Sequence, residues 1–171
     1  MNKILYIAEG EIEERFINFL KQNALIKSGR FKKFNLMQEK LKDNNSILMK
    51  KVATVYCILD TDITTPENIS TLIFNLKKLA EVCLRRVFCL IQNKNFEDEL
   101  KFILNCHDLG AFFKLPHNTT KDIKTYLAQT VNYRRHISRT NLTRYCSRSE
   151  NFQTTIQNSK ITIVPIEKCM N

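Results

Sequence analysis

Residues 4–16 read ILYIAEGEIEERF, and the reading of this stretch decides the fold. Residues 3–8 form a short, bounded apolar run, the pattern of a strand buried in a parallel sheet. A tight turn at Gly10 follows, and Ile12, Phe16, Phe19 and Leu20 then recur at helical spacing. Strand, turn and helix in that order open a βα unit. The same stretch sets Glu9, Glu11, Glu13 and Glu14 side by side in a chain whose formal net charge is +10, so the local negative charge needs a reason.

The βα pattern repeats outward from this start. Residues 52–59 are unbroken, apolar and rich in β-branched side chains, which predicts the central strand of the sheet. Thr64-Thr65-Pro66-Glu67 combines a capping-box spacing with a proline suited to a first helical turn, and Ile69, Leu72, Ile73, Leu76 and Leu79 mark a buried stripe. Residues 86–91 predict a further strand, followed by a helix carrying Phe96, Leu100, Ile103 and Leu104 on one face. Between the first two units, residues 31–37 predict another strand and residues 38–50 a polar helix. Such alternation predicts a parallel sheet with helices on both faces and functional groups at the strand C-terminal ends. Past residue 105 the pattern weakens to helices over 120–131 and 133–146 and a last strand over 160–166. The expected organisation is one domain over 1–171, with a core over 1–105 and a basic, helical C-terminal extension over 106–171 packed on it.

Composition limits the function. The 171 residues, 43% of them hydrophobic, suffice for one sizeable core. The first 50 residues carry 10 basic and 6 acidic groups, residues 51–110 carry 7 and 8, and residues 111–171 carry 10 and 3. A basic last third favours a polyanionic partner. No apolar run approaches the roughly 18 residues that span a bilayer, and residues 4–8 meet Glu9 too early for a signal peptide, so the expectation is a cytoplasmic protein with no membrane partner. Six cysteines without a C-x-x-C pair read as reduced thiols, mostly buried, and His107, His117 and His136 are not at zinc-ligand spacing.

Three predicted strands end in polar clusters: Glu9 to Glu14, Asp60-Thr61-Asp62, and Asn93-Lys94-Asn95-Phe96-Glu97-Asp98-Glu99. In a parallel sheet these ends share one edge. If the first strand and the 52–59 strand are neighbours, Glu9, Asp60 and Asp62 converge, and three carboxylates so close repel unless a cation neutralises them or one keeps a proton. Hard oxygen ligands suit Mg²⁺ or Mn²⁺. Glu11 and Glu14 read more simply as first-turn acids that favour the helix dipole.

E-G-x-x-E after an apolar strand, then an apolar strand ending in D-x-D, resembles the two-part signature of Toprim domains. Within that superfamily the chain looks most like RloB-like, phage-defence-associated members, with Glu9, Gly10, Glu13, Glu14 and Phe16 in the first motif, Asp60 and Asp62 in the second, and Asn93, Phe96 and Glu97 in a third. The resemblance covers roughly residues 3–105. It departs at Asn93-Lys94-Asn95, where such members often have a proline after the asparagine, and it lacks their aromatic-rich helix with a histidine. The resemblance implies a Rossmann-like Toprim fold and a metal-dependent nuclease cleaving DNA or RNA in phage defence, with room for an ATPase partner protein. It makes Glu9 the general acid or base, places Glu9, Asp60 and Asp62 around Mg²⁺ or Mn²⁺, and has Glu13 and Glu97 complete the outer shell or hold a second ion.

Lys94 lies where it could hold a scissile phosphate, and Arg134, Arg135, Arg139 and Arg144 in YRRHISRTNLTRYCSR (133–148) form a candidate nucleic-acid surface. On one helix Arg135 and Arg139 would be a turn apart, with Tyr133 and Tyr145 available to stack on bases. Two other readings compete. One is a non-catalytic nucleic-acid-binding accessory subunit. The other is a haloacid-dehalogenase-like phosphatase, because residues 56–64 fit hhhhDxDxT with Asp60 as nucleophile; such enzymes also need a later strand ending in paired aspartates, and only Asp98, Asp108 and Asp122 follow.

Overall fold

A computed structural model describes residues 4–42, 52–62, 64–82, 86–117, 119–129, 132–148, 162–164 and 166–170. The chain runs β1 (Ile4–Ala8), α1 (Glu11–Gln22), β2 (Arg30–Lys33), β3 (Thr54–Asp60), α2 (Pro66–Val82), β4 (Arg86–Gln92), α3 (Phe96–Leu104), α4 (Leu109–Phe112), α5 (Thr120–Gln129), a 3₁₀ turn (Asn132–His136), α6 (Arg139–Leu142), β5 (Thr162–Ile163) and a final 3₁₀ turn (Ile166–Cys169). The sheet order is β2-β1-β3-β4-β5, and every pairing is parallel. This is the doubly wound α/β arrangement, Rossmann-like in layout, with β3 at its centre as expected.

Alternation along the strands explains the two layers. Tyr6, Ala8, Tyr56, Ile58 and Leu90 point to one face, against Phe16, Ile17 and Leu20 of α1 and Phe96, Leu100 and Ile103 of α3. Leu5, Ile7, Val55, Cys57, Leu59, Val87, Cys89 and Ile91 point to the other, against Leu72, Leu76 and Leu79 of α2. Each fully buried leucine of that stripe contributes about 1.5–3 kcal/mol over its exposed state. On the first face Tyr6, Tyr56 and Phe88 stack across three neighbouring strands, with ring centroids 5.4 and 5.3 Å apart. Leu127, Tyr133, Leu142, Tyr145, Ile166 and Cys169 belong to the same cluster, so these described residues of the C-terminal third share the core. Tyr56 donates its hydroxyl to the Lys168 carbonyl at 2.9 Å, and Lys27 donates its backbone N–H to Cys169 at 2.7 Å.

Four expectations change. The strand predicted over 31–37 occupies Arg30–Lys33 and stops where the Asn35 side chain accepts the N–H groups of Met37 and Gln38 at 2.9 and 3.0 Å, turning the chain. Residues 38–42 are not helical, because buried Asn75 of α2 satisfies their backbone instead: it accepts from Leu41 N–H at 2.8 Å and donates to the carbonyls of Leu36 and Glu39 at 2.7 Å each. Residues 43–50 of that predicted helix lie outside the described residues. The helix predicted over 133–146 is broken, since Ser138 is extended (φ −107°, ψ 166°) and caps α6 in a reciprocal pair with Asn141. Within the described residues the last strand covers Thr162–Ile163, and Ile166 belongs instead to the final 3₁₀ turn; residues 160, 161 and 165 are outside the described set.

Cys57, Cys89, Cys146 and Cys169 are buried and in no disulfide among the described residues, Cys106 is half-buried, and Cys83 lies outside the described residues. His107, His117 and His136 are exposed. Among the described residues no helix is long and apolar enough to cross a membrane.

Candidate functional site

The register fixes the acidic edge. Ile7 pairs with Cys57 between β1 and β3, and Asp60 pairs with Gln92 between β3 and β4, so the three strands end together. Strand order reverses at β1/β3, the switch point where doubly wound sheets bind ligands. Glu9 follows β1, Asp60 closes β3, Asp62 lies two residues on, Glu13 is in the first turn of α1 and Glu97 in the first turn of α3.

These five acids act on one another. Burial pushes the Asp60 carboxyl up to about 8, and the charges of Glu13, Glu9, Asp62 and Glu97 add to that rise in this order. Glu13 is only 7% exposed; burial lifts it to about 7 against its own backbone hydrogen bond, with Glu97 and Glu9 pushing further. Burial and Asp62 raise Glu9, while Lys124 and Lys33 pull it back. Glu9, Glu13, Asp62 and Glu97 thus each bear electrostatically on Asp60 along this edge. Glu11 instead pairs with Arg15 at 2.6 Å on the outside of α1, and Glu14 sits partly buried in the same first turn.

Several contributors carry weak sequence signals. Asn35 donates to Glu9 Oε2 at 2.7 Å while its carbonyl oxygen holds the turn after β2, so it orients the carboxylate. Lys124 of α5, in the basic third, lies 3.8 Å from Glu97. Gly10 has an ordinary extended backbone (φ −109°, ψ 165°), so it is not needed for a sharp turn. Its role is space: a Cβ there would run into the Glu13 carboxylate. Glu99 is fully buried and accepts from Asn93 N–H at 2.8 Å, Cys146 N–H at 3.1 Å and Arg148 Nη2 at 3.2 Å, tying the C-terminal segment to α3. Beneath the edge, Gln92 donates to the Tyr145 hydroxyl at 2.7 Å.

The basic residues separate into groups. Lys94 has a left-handed backbone (φ 70°), clamped to β3 by Thr61 N–H donating to its carbonyl at 2.7 Å and its own N–H donating to Thr61 Oγ1 at 2.9 Å. Arg144 stacks on Phe102, 4.3 Å from the ring centroid. Arg134 packs over Phe19 at 5.4 Å and donates to the Arg15 carbonyl at 3.3 Å, which makes it a brace between α1 and the C-terminal third. Arg135 and Arg139 are exposed but sit on different elements, so they do not share a helix face as expected. Tyr133 and Tyr145 are fully buried and form core, so neither can stack on a base; Tyr145 meets Phe16 edge to face at 5.4 Å.

The later aspartates also have local roles. Asp98 lies in the first turn of α3 paired with Lys101 at 2.9 Å, Asp108 caps α4, and Asp122 bonds Thr119 in α5. β4 ends in Gln92, without paired aspartates.

The donor set at the edge is made of hard carboxylate oxygens whose repulsion a cation would relieve, which fits Mg²⁺ or Mn²⁺ chemically. Among the described residues no three His, Cys, Asp or Glu side chains are gathered tightly enough to hold an ion. Comparison with protein-family models, with curated proteins and with solved structures gave no match.

Proposed function

We propose that this chain is a Toprim-type, Mg²⁺- or Mn²⁺-dependent nuclease that cleaves phosphodiester bonds in DNA or RNA. What supports the reading is that Glu9, Glu13, Asp60, Asp62 and Glu97 lie at the strand ends and helix starts along the switch-point edge of a parallel sheet, where their charges bear on Asp60. Asp60 and Asp62 would hold the cation, with Glu13 and Glu97 completing its surroundings. A divalent ion so held supplies positive charge for the scissile phosphate. Glu9, oriented by Asn35, takes the proton of the attacking hydroxyl or returns one to the leaving oxygen, a task suited to a carboxylate whose proton affinity is already raised. Lys94, fixed beside Thr61, steadies the phosphate.

The test is cleavage of single- and double-stranded DNA and RNA by the purified chain. Cleavage should need Mg²⁺ or Mn²⁺ and stop with chelator, and Glu9→Gln should slow it by about 10²–10⁴-fold. Intact substrates under all metal conditions sink the nuclease; retained nucleic-acid binding would then favour an accessory subunit. Turnover of a small phosphomonoester that Asp60→Asn abolishes would favour the phosphatase.

A further inference from the structure

A polar cleft of about 470 Å³ opens next to the acidic edge, between α3 and the segment after α6. Its lining carries four basic side chains, Lys94, Lys101, Arg144 and Arg148, against one acid, Asp98, beside Phe102. Arg148 is held by the buried Glu99 carboxylate at 3.2 Å and by the Asp98 carbonyl at 3.4 Å. Lys101 pairs with Asp98. Among the described residues no carboxylate pairs with Lys94 or Arg144.

Two features show how the fold sets the Arg144 and Arg148 guanidinium groups and the Lys94 backbone. The guanidinium carbons of Arg144 and Arg148 lie 4.3 and 3.9 Å from the centroid of one ring, Phe102, so a single aromatic holds two forked cations beside one cavity. At the other end, Lys94 keeps a left-handed backbone that a non-glycine residue adopts at a cost. The Thr61 clamp holds it there, and Thr61 in turn donates its hydroxyl to the Gln92 carbonyl at 2.9 Å. That clamp sets Lys94 between the D-x-D loop of β3 and the cleft.

From this arrangement we infer that the Lys94–Phe102–Arg144–Arg148 cleft is a phosphate subsite that holds the backbone of a nucleic-acid single strand leading to the acidic edge. A cavity of this volume, within the small-ligand range of about 300–1,000 Å³, takes roughly one nucleotide. Paired arginines suit the two free oxygens of a phosphodiester. The inference rests on the nuclease reading for its orientation, but binding can be measured without cleavage.

The experiment is fluorescence anisotropy with labelled short single-stranded DNA and RNA, in chelator so that no strand is cut. Arg144→Ala should weaken binding by about tenfold, the loss of one charge-assisted contact, and Arg144→Lys should recover part of it. Lys94→Ala should act in the same direction. The slope of log affinity against log salt should fall by about 0.7 for each contact removed. Lys77→Ala, exposed on α2 and away from the cleft, should change binding by less than about twofold, and thermal unfolding of each variant separates loss of contact from loss of fold. Wild-type affinity and salt slope in folded Arg144→Ala and Arg144→Glu proteins would overturn the inference, as would unchanged binding of a strand whose phosphodiesters are replaced by an uncharged backbone. If cleavage fails with every metal while binding still depends on Arg144, the nuclease reading falls and the cleft stands. If cleavage proceeds and Arg144 has no effect, the cleft alone falls.

Discussion

Replacing Asp60 by Asn should stabilise the metal-free protein at alkaline pH, although it removes a residue central to the site. Asp60 is pushed from an ordinary 3.8 up to about 8 by burial and by its four acidic neighbours. A carboxyl whose folded-state value is raised binds more protons when folded than when unfolded, so stability is full below about 4 and is lost as pH rises towards 8. With about 1.4 kcal/mol per pH unit, the ceiling on this loss at pH 8 is about 5 kcal/mol. Partial solvent access to Asp60, and protons taken up by Glu13 in its place, bring the expected gain from Asp60→Asn to about 1–3 kcal/mol. For a chain of this length that is a rise in Tm of roughly 3–10 °C. Circular-dichroism melts in chelator, from about pH 5 to pH 8, would show wild-type Tm falling across the range and the variant falling less. At the alkaline end Mg²⁺ or Mn²⁺ should raise the wild-type Tm and leave the variant nearly unmoved. A variant less stable than wild type at pH 8, or with the same pH dependence, would refute the reasoning.

Other perturbations act on different parts of the same structure. Glu99→Ala strands the N–H groups of Asn93 and Cys146 and the Arg148 guanidinium, and should cost about 2–4 kcal/mol in urea unfolding. Asn35→Ala frees the Glu9 carboxylate, and should lower kcat about tenfold with KM little changed, because Asn35 acts through Glu9 and does not touch the strand. Gly10→Ala should cost stability only about 0.5–1 kcal/mol, since the group it meets is the far end of a flexible side chain, yet it should reduce cleavage by displacing Glu13.

The sheet was legible because its strands are short apolar runs and its helices carry clean stripes. Residues 52–59 read as central and are central, and Leu72, Leu76 and Leu79 are buried as their spacing predicts. The acids were legible for the same reason: in a parallel sheet a residue just past a strand has only one edge to occupy. What failed depended on side chains reaching across the chain. Asn75 satisfies a loop 34–39 residues away in sequence, and nothing local in residues 38–42 announces that their backbone has partners elsewhere. Tyr133, Tyr145 and Arg134 looked like a nucleic-acid surface because arginine and tyrosine serve both roles; their burial against α1 and Phe16 is a tertiary fact. Lys124, Asn35 and Glu99 are equally invisible, since each acquires its meaning from a residue distant in the chain.

Everything catalytic proposed for the acidic edge requires it to take up a divalent cation. Mn²⁺ titration of the purified protein near pH 8, followed by electron paramagnetic resonance, measures that uptake without any assumption about substrate. Wild type should bind Mn²⁺ stoichiometrically, Mg²⁺ should compete for the same site, and the Asp60→Asn, Asp62→Asn double variant should lose it while remaining folded. Wild-type protein that leaves Mn²⁺ free in solution, or a double variant that binds it as well as wild type, would contradict the assignment of this edge as a metal-dependent centre.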